Sequence, residues 1–438
     1  MTVSRSAIRP RADAHGAPTP GPSPTWTPAR RFEEDPFPGR PRILFIGPAQ
    51  SSHTHAWIDL LAGAELNVRL FALPGSMPPD EWPVRTYVTM PTPRQLDRGS
   101  RQRLYPAGRL ARAPKRAFAR FIAGDRALEE RWLAQIVREW RPHIIHTLGI
   151  DPAGDLFFDV RRAHALDSDA RWLLQTRGGS DLALARYDEA RAARLAQVMK
   201  SADCLLSDNT VNFEIALEMG VRPDQLSPIG TVPGTGGVDV DRLAAHASGN
   251  PSARHVVVWP KAYECPWSKA LPVFEALTQH WHRLPHCEIH MLATIPETRM
   301  WYHALPAAIK RACVIDDRIP REALLSLMGH ARVMLAPSLV DGTPNSMFEA
   351  MATGAFPVLS PLDTIRPLLQ EGRNVLFARN LYPDEIGDAL ARAMNDDHLV
   401  DDAAKENLAL VRTLADRATI RPRVIGLYET LAGERRPT

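Results

Sequence analysis

The chain has 438 residues, of which 45% are hydrophobic and 24% are charged, and its formal net charge is +3. This length fits two domains with an appendage, and the composition is ordinary for a soluble globular protein. No apolar run is long enough to cross a bilayer, and the N-terminus lacks the apolar core of a signal peptide. The four cysteines (Cys204, Cys265, Cys287 and Cys313) show neither a CxxC pair nor a metal-ligand spacing. We therefore expect a cytoplasmic protein without a metal site.

The folded part of the chain is predicted to begin at residue 42. Residues 1–41 are dense in proline and have no hydrophobic period, so they cannot bury enough surface to fold alone and are predicted to be a disordered tail. Residues 42–248 form the first predicted domain. It opens with a buried strand at 42–47, a loop and a helix through Trp57, and further strands follow at 67–72 and 173–176.

The loop after the first strand leads into His53 and His55. It is not a dinucleotide-binding fingerprint, because it lacks a GxGxxG pattern. Neither histidine is expected to bind a metal, because nothing nearby completes a ligand set and a surface position at the start of a helix explains both.

Residues 94–126 form the most strongly basic segment of the chain. They hold ten Lys and Arg residues against Asp97 and Asp125, a net charge of +8, so the rest of the chain carries −5. Phe118, Phe121 and Ile122 fall at helical spacing, with Lys115, Arg116 and Arg120 on other faces. This pattern predicts an interfacial helix for an anionic membrane surface. A solvated basic helix is the alternative, and no nucleic-acid partner is expected because no RNA or DNA motif accompanies the charge.

The second domain is predicted over residues 254–400, after a small and polar hinge at 244–253. It opens with a strand at 255–259, and Lys261 and Lys269 precede an apolar helix through Leu271. Further strands are predicted at 287–293, 332–338, 356–360 and 374–378, which again indicates an α/β fold with a parallel sheet. Residues 401–438 are predicted to be helical.

The loop between the strands at 332–338 and 356–360 carries the most chemistry. Thr343 is a suitable N-cap and Pro344 a suitable first helical residue, and Gly354 is placed as a C-terminal glycine. The amides of Gly342, Thr343, Asn345 and Ser346 would then be unpaired and would bind a phosphate. Asp341 and Glu349 would flank such a ligand and suit sugar hydroxyls. The alternative is an aspartate that offsets the helix dipole and a solvated glutamate.

Residues 341–352, followed by Gly354, Pro357 and Val358, resemble the donor-site signature of retaining glycosyltransferase family 4. That family has two acidic residues separated by seven others, as here, but Asp341 stands where the family has a glutamate. The resemblance implies the GT-B fold, in which two Rossmann-like domains with parallel sheets face a cleft and a C-terminal helix crosses back. Residues 401–438 would be the crossover helices, packed on the first domain. It extends to the strands at 142–146 and 201–208 and to residues 314–320, which would hold the nucleobase.

The resemblance also implies roles for individual residues. The catalytic set would be Asp341, Glu349 and Lys269, with Glu349 on the ribose and Asp341 on the sugar ring. The donor-binding set is Lys261, Lys269, Gly342, Thr343, Asn345, Ser346, Glu349 and Ile319. The acceptor side is His53, Arg177, Ser180 and Asp181, although Gly178 stands where the family often has a histidine.

The predicted function is that of a retaining glycosyltransferase that moves a sugar from a nucleotide-sugar donor to an acceptor hydroxyl. The acceptor would be a glycan, a lipid-linked glycan precursor or a small molecule. No cofactor and no metal are expected, and the enzyme would lie at the inner face of the membrane through residues 94–126. The alternative is another GT-B enzyme, such as a sugar-nucleotide epimerase or a phosphorylase, and product analysis with and without an acceptor would distinguish it from a glycosyltransferase. Measurable transfer would exclude a degenerate relative that only binds glycans.

Overall fold

The computed structural model describes residues 25–28, 30–89, 101–105, 114, 125–166, 170–176, 180–317 and 319–433. Two parallel sheets dominate these residues, in the order β4-β3-β2-β1-β5-β6-β7 and β10-β9-β8-β11-β12-β13. The predicted α/β architecture with two parallel sheets is therefore confirmed.

The first sheet has seven strands: β1 (Arg42–Gly47), β2 (Asn67–Ala72), β3 (Arg85–Thr89), β4 (Gln102–Tyr105), β5 (Ile144–Leu148), β6 (Arg171–Gln175) and β7 (Cys204–Leu206). Its helices are α1 (Ser52–Ile58), α2 (Asp125–Trp140), α3 (Asp155–Ala163), α4 (Glu189–Ser201) and α5 (Thr210–Glu218). Strand β1 is central, and its apolar side chains alternate between two core clusters on opposite faces of the sheet. Burial on both faces explains why β1 is a continuous apolar run.

The second sheet has six strands: β8 (Val256–Trp259), β9 (Glu288–Met291), β10 (Cys313–Ile315), β11 (Ala331–Ala336), β12 (Phe356–Leu359) and β13 (Leu376–Phe377). Around it lie α6 (Val240–Ala244), α7 (Leu271–His280), α8 (Pro296–Ala304), α9 (Ala307–Ala312), α10 (Arg321–His330), α11 (Asn345–Ala352) and α12 (Pro383–Asn395). The last two helices of the described residues are α13 (Asp397–Ala415) and α14 (Arg417–Gly433).

Residues before position 42 already pack against the first domain. Phe32 is buried in the core of the first domain. Asp35 accepts hydrogen bonds from Arg42 Nε at 2.6 Å and from Trp140 Nε1 at 3.0 Å. The boundary predicted after residue 41 is therefore too late, because these side chains anchor residues 32–35 to the first domain. Proline content gives no sign of such long-range contacts.

The predicted hinge at 244–253 also differs from the structure. The Arg254 guanidinium donates hydrogen bonds to the carbonyls of Ser248, Gly249, Ala331 and Thr353, which ties this segment to the second domain. Helix α6 already packs in the second core. The first domain therefore ends before the predicted boundary at residue 248, and the chain crosses between the domains near Val238.

The chain crosses back between α13 and α14, beside the first crossing. Val238 N donates to Ala415 O at 2.8 Å, and Arg417 N donates to Val238 O at 2.9 Å. Gly237 lies here with a φ of +83°, and a Cβ at this position would meet Ala415 O at 2.5 Å. Only glycine fits this approach. Helix α13 packs on α11 of the second domain, whereas α14 packs in the first-domain core. Of the described residues within 401–438, predicted to pack on the first domain, only those of α14 therefore do so.

Candidate active site

The candidate site lies at the carboxyl ends of β8 and β11, where the strand order of the second sheet reverses. Crevices at such switch points are the usual ligand sites of open parallel sheets. Lys261 follows β8 and Asp341 follows β11, and Lys261 Nζ forms an ion pair with Asp341 Oδ2. The predicted donor residues Lys261 and Asp341, 80 positions apart in the chain, are therefore in direct contact.

The Asp341 carboxylate is held on both oxygens. Oδ2 accepts from Lys261 Nζ, and Oδ1 accepts from the amide of Gly342 at 2.9 Å. Thr364 Oγ1 donates to the carbonyl of Asp341 at 3.0 Å and so fixes the loop. Burial lowers the pKa of Lys261, but the charge of Asp341 outweighs it and the pKa is raised overall. Lys261 is therefore a fixed cation at the site.

Helix α11 begins one residue later than predicted. Pro344 is its N-cap and Asn345 its first residue, and no side chain caps it. Thr343 is not the N-cap because it is turned toward the first domain, where its hydroxyl donates to Asp208 O at 2.9 Å and its amide to Asp208 Oδ2 at 3.3 Å. The Gly342 amide is also paired, so two of the four amides predicted to be unpaired are not available.

The remaining two amides, those of Asn345 and Ser346, have no acceptor among the residues that the structure describes. The Ser346 hydroxyl oxygen is buried and likewise has no partner in the described part of the chain. These three donors share the first turn of α11, where the helix dipole favours an anion. The start of α11 can therefore bind a phosphate group.

Glu349 lies one turn further along α11 and is buried. Arg321, the first residue of α10, donates through a terminal nitrogen to Glu349 Oε1 at 2.6 Å. Sequence reasoning missed Arg321, although it directly follows the segment predicted to hold the nucleobase. Ile319 of that segment is half-buried against the core that contains α11. The segment that contains Ile319 and ends at Arg321 therefore lies against α11, and Arg321 ties it to Glu349.

Lys269 lies on the loop that carries Lys261 but has a different partner. Its Nζ is 2.8 Å from Glu264 Oε1, and Asn380 binds its backbone amide and carbonyl. The same loop contacts the segment before Asp341, because the Trp267 carbonyl accepts from the amides of Leu339 and Val340. The loops are thus joined, but Lys269 does not contact Asp341 in the described structure.

The first domain contributes Asp208, which sequence reasoning did not select. It follows β7 and is buried, and its Oδ1 accepts from Asn209 Nδ2 at 2.7 Å. Burial raises the pKa of Asp208 to about 7, and the nearby charge of Asp341 acts in the same direction. Thr235, also in the first domain, donates through its hydroxyl to Asn345 Oδ1 at 2.8 Å. Both domains therefore meet at the start of α11.

The predicted acceptor residues are described only in part. His53 is exposed in the first turn of α1, beyond the carboxyl end of β1. Arg177 lies outside the described residues, and Ser180 and Asp181 belong to a short helical turn (Ser180–Leu184) whose first side chains are not described. Lys115, Arg116 and Arg120 of the basic segment also lie outside. The acceptor side and the membrane-binding segment therefore remain predictions.

Within the residues that the structure describes, no helix is both long and apolar enough to span a membrane. Over the same residues, no group of three or more His, Cys, Asp and Glu side chains is arranged to hold a metal ion.

One family model matches part of the chain, and many solved structures have a similar fold. Residues 257–396, which are 140 of the 438, match the family model described as "Glycosyl transferases group 1". This range contains Lys261, Asp341 and Glu349 but not Asp208. No curated protein gives a significant sequence match.

Three solved structures show the similarity of the fold. Sucrose-phosphate synthase from Thermosynechococcus elongatus is 16% identical with a TM-score of 0.65, over 90% of this chain and 99% of the other. Anabaena HepE in complex with UDP-glucose is 12% identical with a TM-score of 0.66, over 90% and 100%. The lipopolysaccharide outer core galactosyltransferase WaaB is 12% identical with a TM-score of 0.57, over 89% and 97%.

At these identities the structures establish the fold, and the family model covers the sheet that carries the candidate site. The resemblance to glycosyl transferases group 1 is thus confirmed over residues 257–396, and the chain as a whole has the GT-B fold.

Proposed function

We propose that the protein is a nucleotide-sugar-dependent glycosyltransferase that transfers a sugar to an acceptor hydroxyl with retention of configuration and without a metal ion. The observation that carries the proposal is the placement of Lys261, Asp341 and the open start of α11 at the switch point of the second sheet. Lys261 and the free amides would stand where the charge of a departing diphosphate develops, and preorganised groups of this kind are usually the largest contribution to catalysis.

The donor would lie along α11. The amides of Asn345 and Ser346, with the Ser346 hydroxyl, would bind the diphosphate, and Lys261 would add positive charge. Glu349 would accept hydrogen bonds from the ribose, because its Oε2 has no donor among the described residues while Arg321 holds Oε1. Asp341 would accept from the sugar hydroxyls, and Lys269 would approach the diphosphate only after leaving Glu264.

The proteins of similar fold support the choice of donor and of acceptor class. HepE was solved with UDP-glucose, and WaaB is a galactosyltransferase of the lipopolysaccharide outer core. We propose by analogy a nucleotide-sugar donor and a lipid-linked or cell-surface glycan precursor as the acceptor. The enzyme would act in the cytoplasm at the inner face of the membrane, where the net charge of +8 in residues 94–126 would favour anionic lipid.

A screen of nucleotide sugars tests the proposal. The thermal unfolding midpoint is measured with each of a panel that includes UDP-glucose, because a ligand that binds the native state raises the apparent stability. Release of nucleoside diphosphate is then measured with the best ligand, with and without glycan acceptors. We expect one class of nucleotide sugar to raise the unfolding midpoint and its sugar to be transferred to an acceptor. If no member of the panel binds, the proposed function is wrong, and donor turnover into an isomer or a sugar phosphate would identify an epimerase or a phosphorylase instead.

A further inference from the structure

Asp208 is a buried carboxylate to which the proposed function gives no role. It stands at the carboxyl end of β7, on the first domain, and reaches across to the second. Its Oδ2 is 3.3 Å from the amide of Thr343, and the Thr343 hydroxyl donates to the Asp208 carbonyl at 2.9 Å. The first domain thus places an acidic group against the loop that precedes α11.

The position of Thr343 in that loop decides what Asp208 would face. Thr343 lies between Asp341, which the proposed function assigns to the sugar, and Asn345 and Ser346, whose amides it assigns to the diphosphate. A donor bound along this segment would pass directly beside the Asp208 carboxylate. Asp208 is therefore close to the junction of sugar and phosphate, although it lies 135 positions from Thr343 in the chain.

The charges around Asp208 do not favour an anion there once a diphosphate has bound. Asp341 is the charged group that acts on it from the second domain, and Asp341 is itself paired with Lys261. Its other neighbours, Asn209 and Thr343, are neutral donors. Burial already raises the pKa of Asp208 to about 7, and an adjacent diphosphate would raise it further because like charges disfavour ionisation.

We infer that Asp208 is a donor-site residue supplied by the first domain, and that it holds a proton in the donor complex and donates a hydrogen bond to a donor oxygen. This inference rests on the proposed function. The proton comes from solution, so binding of the donor is accompanied by proton uptake near neutral pH. The contact also makes the donor a bridge between the two domains.

Calorimetry tests the inference directly. The nucleotide sugar that gives the largest thermal shift is titrated into the full chain at pH 7.5, in two buffers of different ionisation enthalpy. Nucleotide sugars suit the measurement because each phosphate of the diphosphate has one ester bond and one anhydride bond and keeps a single charge across this pH range. The binding enthalpy of the wild type should depend on the buffer and report uptake of a fraction of one proton per donor bound.

The matched variants are Asp208→Asn and Asp224→Asn, which removes an exposed carboxylate of the same domain that pairs with Arg222. Asp208→Asn should abolish the buffer dependence, and Asp224→Asn should retain it. Binding of the wild type without proton uptake overturns the inference and leaves the proposed function intact. Uptake that persists in a folded Asp208→Asn variant overturns it as well. Failure of every nucleotide sugar to bind the wild type overturns both proposals.

Discussion

At the scale of single residues, Asp341 is the acid whose surroundings define the site. Its side chain is one methylene shorter than a glutamate, which draws the carboxylate back by about 1.5 Å. The structure shows what the shorter side chain meets: Lys261 on one oxygen and the Gly342 amide on the other. A carboxylate held in this way has a fixed direction, and its remaining acceptor capacity can serve a sugar hydroxyl.

We predict that Asp341→Ala lowers the transfer rate sharply without weakening the affinity for nucleoside diphosphate. The variant loses the sugar contact but frees the charge of Lys261 for the phosphates. Titration with nucleoside diphosphate and transfer rates over a donor panel are the two measurements. Asp341→Asn is the control for charge alone, and Asp341→Glu should change the donor preference more than nucleotide binding. Equal losses in both measurements would mean that Asp341 only supports the loop.

Glu349 has a different surrounding and therefore a different expected effect. We predict that Glu349→Gln weakens nucleotide-sugar binding by roughly 1.5–3 kcal/mol, the contribution of a hydrogen bond to a charged group. Isothermal titration measures the affinity, and circular dichroism checks the fold because the variant loses the charge that Arg321 pairs with. Glu275→Gln, on the exposed side of α7, is the matched control. Donor affinity that matches the wild type in Glu349→Gln would remove this residue from the site.

At the scale of secondary-structure elements, the unit around α11 was predictable because its signals are local. The predicted strands at 332–338 and 356–360 correspond to β11 and β12, and Gly354 has a φ of +82°, as a C-terminal glycine should. The bounds of β1 and β2 agree residue for residue. Strands β3 and β4 were not predicted, because each is short and partly polar.

The parts of the site that the sequence did not reveal are contacts between distant residues. Nothing near Asp208 signals that Thr343 will lie against it, and nothing near Arg321 signals its pairing with Glu349. One general signal was available, since residues just after parallel strands meet at the same edge of a sheet. Applied to β7, it would have drawn attention to Asp208.

The basic segment 94–126 leads to a prediction at the same scale. We predict that neutral substitutions of Lys115, Arg116 and Arg120 together abolish binding to anionic liposomes, since each charge contributes about 1 kcal/mol near such a surface. Co-sedimentation with liposomes at increasing salt is the measurement. A control variant carries three neutral substitutions elsewhere on the first domain: Arg131, Arg162 and Lys200. Wild-type binding that is absent, or that does not respond to salt, would contradict the prediction.

At the scale of the whole molecule, the two domains are joined in two different ways. The covalent crossings are paired with each other through Val238 and Ala415, next to the closely packed Gly237. Helix α14 is fixed to the first domain, where Tyr428 accepts from Trp57 Nε1 at 3.0 Å. Across the cleft, by contrast, polar groups meet: Asp208 with Thr343, and Thr235 with Asn345. This arrangement suits a cleft that opens while the crossings hold.

The polar contact across the cleft makes the stability of the whole molecule depend on pH. The pKa of Asp208 is raised from 3.8 to about 7, so the folded chain retains a proton that the unfolded chain loses. The unfolding free energy should therefore fall as the pH rises from about 4 to about 7. At about 1.4 kcal/mol per pKa unit, this carboxylate accounts for roughly 3 kcal/mol between pH 4.5 and pH 7.5.

We predict that Asp208→Asn removes this loss, so that the variant gains unfolding free energy relative to the wild type as the pH rises from 4.5 to 7.5. Urea unfolding of both proteins at several pH values isolates the effect, because all other carboxylates are common to the two. The amide of the variant also offers one acceptor fewer to Thr343 and Asn209, which lowers its stability at every pH. The decisive quantity is therefore how the difference in unfolding free energy between variant and wild type changes with pH, and not the size of that difference at one pH. Asp224→Asn should differ from the wild type by a nearly constant amount over this range, because the hydrogen bond from Arg222 lowers the pKa of that exposed carboxyl and it is ionised in both states above pH 4.5. The contrary outcome is a difference in unfolding free energy between Asp208→Asn and the wild type that stays constant with pH. That result would mean that the pKa of Asp208 is not raised in the folded protein.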